Sequence, residues 1–301
     1  MNPFFSKIIP VICFFVLGVV FRGVKLFSAS DGHFLLKLVF YLFLPALTFL
    51  SVTQTEITRS LMIIPLIPIL PVLFNFLLAS IFLKFFPQAK STAGIVFIAG
   101  MIMNTGFTLP FFEAAYGMEG FLRAIMFDIG NLFVIFTIIY YIAVKHGDNK
   151  SISKKLIIKK FIYMPPLWAF LVGIIVKLCD FKVSALVTDF LNYASEPTIP
   201  VIMLALGLLF HPRIKNLPKA LCVVSIRMIG GLITGLIIVN IFPFDDLSKK
   251  IIIASCAAPV GYNTLIFAAL ENLDEQFAAT VVSASILIGI IYIPVIFLFL
   301  S

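Results

Sequence analysis

The chain has 301 residues, of which 61% are hydrophobic and 12% are charged, and its mean hydropathy is +1.15. Soluble domains carry about 25% charged residues, so this composition predicts an all-α polytopic membrane protein and excludes a separate soluble catalytic domain. The net charge of +8 does not indicate nucleic-acid binding, because the lysines lie in short loops between apolar runs and form no single basic face.

Ten apolar segments follow one another along the chain, each about long enough to cross a bilayer as a helix. They cover residues 6–24, 34–53, 61–84, 92–116, 121–144, 161–179, 185–210, 219–242, 249–270 and 276–300. The basic loop 145–160 is predicted to be cytoplasmic by the positive-inside rule, which places both termini on the periplasmic or extracellular side. In the third segment, Pro65, Pro68 and Pro71 predict a bent helix.

The segments divide into two halves of five, residues 1–144 and 161–301, which we expect to form a single membrane domain. Because each half has an odd number of segments, the two halves would face opposite ways, as in inverted-repeat carriers. Three short motifs recur in the same order at offsets of 152 to 156 residues. They pair Pro10 and Gly18 with Pro166 and Gly173, residues 41–45 with 193–197, and residues 104–108 with 259–263.

The fourth and ninth segments are each interrupted by polar, glycine and proline residues, at 104–110 and 258–264. Such breaks leave backbone groups unpaired in a bilayer unless protein or water satisfies them. In inverted-repeat carriers broken helices meet near the midplane, and their N-terminal ends bind anions. We therefore predict that the substrate-binding residues include Asn104, Thr105, Gly106, Gly261, Tyr262, Asn263 and Thr264. The alternative is a pair of kinks filled by neighbouring helices.

Ionisable residues inside the apolar segments are further candidates, because an unpaired charge in a bilayer is costly. Asp128 and Asn131 share a helix face in the fifth segment, and Glu196 lies deep in the seventh. Each is predicted to hold a coupling proton or cation or to line the site, with a structural hydrogen bond to a broken helix as the alternative. Glu113 is placed at the outer mouth. Arg227 would neutralise an acidic partner or a substrate, or else be a snorkelling or paired arginine.

Common catalytic and metal-binding motifs are absent from the sequence. The chain has no HExxH or GxSxG motif, and its four cysteines lack metal-ligand spacing. We therefore expect no enzymatic activity, no metal site and no cofactor.

Four motifs, taken together and in order, resemble the auxin efflux carrier family over nearly the whole chain. They are Leu44-Pro45-Ala46-Leu47, Asn104-Thr105-Gly106-Phe107 with Pro110, Glu196-Pro197 with Leu206-Gly207, and Ala258-Pro259-Val260-Gly261-Tyr262-Asn263. The resemblance implies a fold related to bile acid sodium symporters, with ten transmembrane helices in two inverted five-helix repeats and broken, crossing fourth and ninth helices. It also implies that the residues of these two breaks frame a site for a substrate carboxylate, and it adds Phe107, Pro110 and Pro259 to the predicted substrate-binding residues.

The resemblance implies a function as well. Bacterial members of the family are associated with organic acids such as malonate, malate or lactate, and plant members export auxin. We therefore expect a secondary transporter that moves a small organic anion across a bacterial inner membrane by alternating access. Segments one, two, six and seven would form its scaffold. The alternative is a ligand-binding membrane receptor or a channel on the same fold.

The expected coupling ion differs from that of the bile acid relatives. Those relatives place an acidic residue near the ninth-segment break for sodium, whereas residues 258–264 contain none. A proton, or no coupling ion, is therefore favoured over sodium. Membrane lipids are the other expected partners, and homodimer formation is left open.

Overall fold

The structure, a computed structural model, describes residues 3–56, 58, 61–147, 162–210 and 216–300. Its α-helices are α1 (Pro3–Gly23), α2 (Ala29–Leu38), α3 (Leu44–Gln54), α4 (Ile69–Phe85), α5 (Lys90–Met101), α6 (Thr105–Val134), α7 (Tyr140–His146), α8 (Pro165–Leu178), α9 (Ala185–Ser195), α10 (Thr198–Leu209), α11 (Leu217–Ile241), α12 (Asp246–Cys256), α13 (Asn263–Leu270) and α14 (Glu275–Leu300). Most of the predicted cytoplasmic loop 145–160 lies outside the described residues, so its side of the membrane stays a prediction.

Within the described residues, six helical stretches are long and apolar enough to cross a membrane. They are Ser6–Gly23, Ala29–Gln54, Leu61–Phe85, Thr105–His146, Leu217–Ile241 and Glu275–Leu300. The other predicted segments consist of shorter helices, because breaks divide them or because only part of the segment is helical. Several spans of this length and hydropathy agree with the predicted polytopic membrane protein, while the count of ten spans stays a prediction.

The proline-rich third segment is not one regular α-helix, and its predicted bend stays a prediction. Leu61–Leu66 forms a 3₁₀-helix that contains Pro65, and a regular α-helix begins only at Ile69, directly after Pro68. Proline cannot donate a backbone hydrogen bond, and its ring clashes with the preceding turn of an α-helix. Pro65 and Pro68 therefore prevent one regular α-helix from running through residues 61–85.

The seventh segment is not the single helix that we predicted over 185–210. Helix α9 ends at Ser195 and α10 begins at Thr198, with Glu196 and Pro197 between them. The corresponding position of the second segment is also irregular, because a π-helical turn over Val39–Phe43 precedes Pro45. Both interruptions have the same cause, which is the missing proline N–H.

The fourth and fifth segments join through a kink at one glycine. Gly117 lies within α6 and has φ 63° and ψ −153°, a backbone conformation that is strained for any side chain with a Cβ. The predicted segments 92–116 and 121–144 are therefore joined by a kink at Gly117 and not by a loop.

The described residues fall into two compact units. The first unit lies within 1–61, 109–125 and 158–210, and the second within 62–108, 126–157 and 211–301. Helices α1 to α3 and α8 to α10 belong to the first unit. The second unit contains α4, α5, α7 and α11 to α14, and α6 contributes residues to both.

In the first unit, helices pack closely at Gly18 and Gly173, two glycines that the predicted repeat places at equivalent positions. Helix α1 packs on α10, where the Gly18 and Gly207 backbones are in contact, so that a Cβ on either glycine would overlap backbone atoms of the other helix. Helix α8 packs on α3, where a Cβ on Gly173 would lie 2.9 Å from Val52 Cγ1. The two motif glycines, Gly18 and Gly173, therefore mark equivalent helix contacts in the two halves.

A basic residue one turn after each of these glycines caps the partner helix. Arg22 Nη1 donates to two carbonyl oxygens at the end of α10, at 2.8 and 3.2 Å. Lys177 Nζ donates to two carbonyl oxygens at the end of α3. Arg22 and Lys177 are separated by the same number of residues as Gly18 and Gly173. Cations at helix C-terminal ends are stabilising, so the same packing and capping pattern occurs twice.

The contact between α1 and α10 predicts the effect of adding one methyl group. In Gly207→Ala the new Cβ would overlap the Phe15 carbonyl oxygen and lie 2.9 Å from Gly18 Cα, and backbone atoms cannot move aside as a side chain can. We expect a loss of about 1–3 kcal/mol in stability, measured as a lower midpoint of thermal unfolding in detergent. Gly23→Ala is the control, because nothing lies within 4 Å of the Cβ position there. Equal midpoints for the two variants would contradict the close contact.

Candidate functional site at two paired helix breaks

Two helix breaks in the second unit hydrogen-bond to each other. Residues 102–104 separate α5 from α6, and residues 257–262 separate α12 from α13. Met103 and Val260 form an antiparallel bridge between the two breaks. The two interruptions that we predicted to meet are therefore in direct contact.

The bridge satisfies backbone groups that the breaks remove from helices. The Asn104 N–H donates to the Pro259 carbonyl oxygen at 2.8 Å, and the Gly261 N–H donates to the Ile102 carbonyl oxygen at 3.0 Å. A broken helix leaves such groups without intrahelical partners, and each unsatisfied group is costly away from water. Each break thus supplies the hydrogen bonds that the other lacks.

Asn104 is buried and holds the start of α6. Its Oδ1 accepts the Phe107 N–H at 3.2 Å as the N-cap of α6, and its Nδ2 donates to the Val260 carbonyl oxygen at 3.4 Å. Asparagine is among the best N-cap residues for this reason. The Asn104 side chain therefore joins the helix start to the opposite break.

The two glycines of the breaks have different surroundings. Gly261 is buried, and a Cβ on it would overlap the Ile102 side chain and lie 3.1 Å from the Met103 carbonyl oxygen. Gly106 is exposed, and the only atom near its Cβ position is Asn104 Oδ1 at 3.8 Å. Gly261 permits the close approach of the two breaks, whereas Gly106 leaves the first turn of α6 open.

The start of α13 also presents polar groups. Asn263, the first residue of α13, and Tyr262 before it are partly exposed, and Thr264 is buried. The buried hydroxyl oxygens of Tyr262 and Thr264 have no hydrogen-bond partner among the described residues. Buried polar atoms are usually paired, so these two unpartnered hydroxyls distinguish the start of α13 from an ordinary packed helix end.

Asp128 and Asn131, which we predicted to share a face, both reach the first break. Thr105 Oγ1 donates to Asp128 Oδ1, and Asn131 Nδ2 donates to the Met103 carbonyl oxygen at 3.2 Å. The structural alternative from the sequence, a hydrogen bond to a broken helix, is therefore present. Asp128 nevertheless remains partly exposed, and Asn131 Oδ1 has no partner within the described part of the chain.

Two residues of α14 support the second break and were missed by the sequence analysis. Ser285 Oγ accepts the Val260 N–H at 3.1 Å, and a Cβ on Gly289 would overlap the Pro259 ring. Ser285 thus holds the second break as Asn131 holds the first. Small residues within an otherwise bulky apolar segment were the available signal, because they permit close helix contacts in membranes.

Two predicted ligand contacts are packing residues in this structure. Phe107 is fully buried, and its ring lies 3.3 Å from the Cβ position of Gly289. Pro110 is buried in α6. Neither side chain is exposed at the open turn beside Gly106.

Glu196 lies in the first unit and is exposed, so the expectation of a deeply buried acid is wrong. The break at Pro197 ends α9 here and leaves the carboxylate accessible. With Glu113 and Asn192 it lines a cavity of about 520 Å³ in that unit. Two carboxylates would repel an anion, so this cavity is a poor match for an organic acid. The described residues include no group of three or more His, Cys, Asp or Glu side chains that could hold a metal ion.

Comparison with known proteins identifies the family. The chain matches the family described as membrane transport protein over residues 3–297. It is 22% identical over 294 residues to an "uncharacterized transporter" of Methanothermobacter thermautotrophicus, with 96% of each chain covered. It is 24% identical over 280 residues to "uncharacterized transporter MJ1031" of Methanocaldococcus jannaschii, with 90% of each covered. Both relatives are archaeal, so the bacterial membrane stays a prediction. The chain is a multi-pass membrane protein that belongs to the membrane transport protein family, the family of the auxin efflux carriers.

Proposed function

We propose that this protein is a secondary transporter that moves a small organic anion, such as a mono- or dicarboxylate, by alternating access. The observation that carries the proposal is the accessibility of two helix N-terminal ends beside one backbone bridge. Gly106 is exposed in the first turn of α6, and Asn263 is partly exposed in the first turn of α13. Both helices begin at breaks that hydrogen-bond to each other.

The chemistry of these two ends favours an anion. The first N–H groups of a helix have no intrahelical partner, and the helix dipole places positive partial charge there. Anions bind at such ends without a basic side chain. Asn263 and the hydroxyls of Tyr262 and Thr264 add neutral polar groups, which bind a carboxylate with a smaller desolvation cost than a buried lysine. The proposed ligand is therefore a compact carboxylate.

Recurring contacts support the inverted repeat on which alternating access rests. Gly18 and Gly173 mark equivalent helix contacts, and Arg22 and Lys177 cap equivalent partner helices. Asn131 and Ser285 hold the first and second break from the fifth and tenth segments, respectively. Inverted repeats with broken helices are the arrangement in which one part of a carrier moves relative to the other.

The two compact units support separate scaffold and substrate-carrying parts. The predicted scaffold segments, one, two, six and seven, all lie in the first unit, and the bridged breaks lie in the second. We propose that the first unit is the scaffold and that the second carries the substrate. We further propose that Asp128, partly exposed and bonded to Thr105, takes up the coupling proton.

Filling the open turn beside Gly106 tests the substrate site. Gly106 is exposed and its Cβ position lies 3.8 Å from Asn104 Oδ1, so we expect Gly106→Leu to leave the bridge intact and to keep a wild-type unfolding midpoint. Because the leucine would cover the α6 N-terminal end, uptake of labelled carboxylates into proteoliposomes should fall at least about tenfold, and binding should weaken in parallel.

The other break glycine provides the matched comparison. Gly261→Leu should unfold at a lower temperature, because its Cβ would overlap Ile102. Full uptake by Gly106→Leu would refute the proposed site. Binding without uptake by the wild-type protein would favour the receptor alternative.

Removing one carboxylate at a time tests the coupling. Asp128→Asn keeps an oxygen that can accept from Thr105, so the break should stay intact while the titratable group is lost. We expect uptake driven by an imposed pH gradient to be lost and exchange of internal for external substrate to be retained. Glu196→Gln, in the other unit, is the control and should keep both activities. Unaltered pH-driven uptake in Asp128→Asn would remove Asp128 from the coupling role.

A further inference from the structure

Arg227 is the largest fully buried side chain among the described residues, and it lies in the middle of α11. Among the described residues, the hydrogen bonds of its guanidinium all go to backbone carbonyl oxygens. Nε donates to Ala258 at 3.3 Å, Nη1 donates to Gly100 and Met101 at 3.4 Å each, and Nη2 donates to Cys256. Arg227 has no acidic partner in the described part of the chain and does not reach the surface, so the structure fits neither the expected acidic pair nor a snorkelling arginine. Neutralisation of a substrate by Arg227 stays a prediction.

These four carbonyl groups all lie at, or just after, the C-terminal end of a helix. Gly100 and Met101 end α5, Cys256 ends α12, and Ala258 lies in the second break. The last carbonyl groups of a helix have no intrahelical partner, and negative partial charge of the helix dipole lies there. Arg227 therefore bonds to the C-terminal ends of both helices whose continuations begin at the candidate site.

The close approach of α11 to α12 allows this geometry. A Cβ on Gly231, one turn after Arg227, would overlap both the Cys256 carbonyl oxygen and the guanidinium. Asn75 in α4 donates to the Arg227 carbonyl oxygen at 3.4 Å. Within the second unit α11 packs on α4, α5 and α12, and the guanidinium lies at the ends of α5 and α12.

In carriers with broken helices, the C-terminal half-helix ends and unwound carbonyls bind a free sodium ion or a proton. We propose that the Arg227 guanidinium is a built-in cation that takes this position permanently, so that the paired breaks keep their shape without sodium. Arg227 is a positioning residue: it neutralises the C-terminal ends, while the N-terminal ends across the same bridge stay open for an anion.

The proposed role predicts a response to cations that a purely space-filling role of Arg227 does not predict. If the position requires a cation, removing the side chain should make the protein respond to added cations. In Arg227→Ala we expect the thermal unfolding midpoint to fall on the order of 10 °C. Methylguanidinium or sodium should restore at least half of that loss relative to choline at equal ionic strength, and the wild-type midpoint should not respond.

Two further variants separate charge from hydrogen bonding. Arg227→Lys keeps the positive charge, and Arg227→Gln keeps a neutral donor of similar length. We expect the lysine variant to be the more stable of the two and to be indifferent to added cations. A lysine variant no more stable than the glutamine variant would overturn the proposal, even where Arg227→Ala does not fold. If Arg227→Ala folds, absence of any cation response would also overturn it.

Arg22 provides the matched control, because its guanidinium caps a single helix end in the first unit. Arg22→Ala should lose stability without gaining a response to methylguanidinium or sodium. The same response at Arg22 would show a general effect of these ions on the protein and would overturn the proposal.

The transport consequence rests on the proposed function, and the unfolding measurements do not. Wild-type and Arg227→Lys proteoliposomes should take up carboxylate equally well in sodium and in choline, whereas Arg227→Ala should gain at least a threefold dependence on sodium. If the wild-type protein transports no carboxylate, the proposed function fails while the unfolding measurements still decide the role of Arg227.

Discussion

The need to satisfy backbone hydrogen bonds in a bilayer constrains this structure most strongly. Two apolar segments are broken near their middle. The backbone groups of each break that lack intrahelical partners pair with the other break at Met103 and Val260. Asn104 and Gly261 make this pairing possible, the first by capping α6 and the second by lacking a side chain. Without the pairing, each break would place unsatisfied amides in a medium that has no water to offer them.

Once the breaks are paired, the four helix ends beside them are chemically different. The C-terminal ends of α5 and α12 are bonded to one buried guanidinium, that of Arg227. The N-terminal ends of α6 and α13 remain accessible at Gly106 and Asn263. The positive partial charge at the N-terminal ends is therefore available to a ligand, while the negative partial charge at the C-terminal ends is not. This polarity is the physical basis of the proposed preference for a carboxylate.

Features that depend on local chemistry were predictable from the sequence. The helix breaks follow from Asn, Gly and Pro inside apolar runs, the irregular start of the third segment follows from its prolines, and the shared face of Asp128 and Asn131 follows from helical spacing. The meeting of the two breaks was also predictable, from the recurring motifs and the resemblance, but the other contacts between distant residues were not. The partners of Arg227 come from α5 and α12, and the contacts of Ser285 and Gly289 come from the second break. Burial of Glu196 was mispredicted because hydropathy alone does not show that Pro197 opens the helix there.

The location of a bound carboxylate tests the central claim most directly. A brominated short-chain carboxylate, bound to the protein in crystals, can be located by its anomalous scattering. We predict that the bromine lies within one ligand length of Gly106 and Asn263, with the carboxylate against the N-terminal ends of α6 and α13. A carboxylate found instead in the cavity lined by Glu113 and Glu196, with none at the paired breaks, would contradict this assignment.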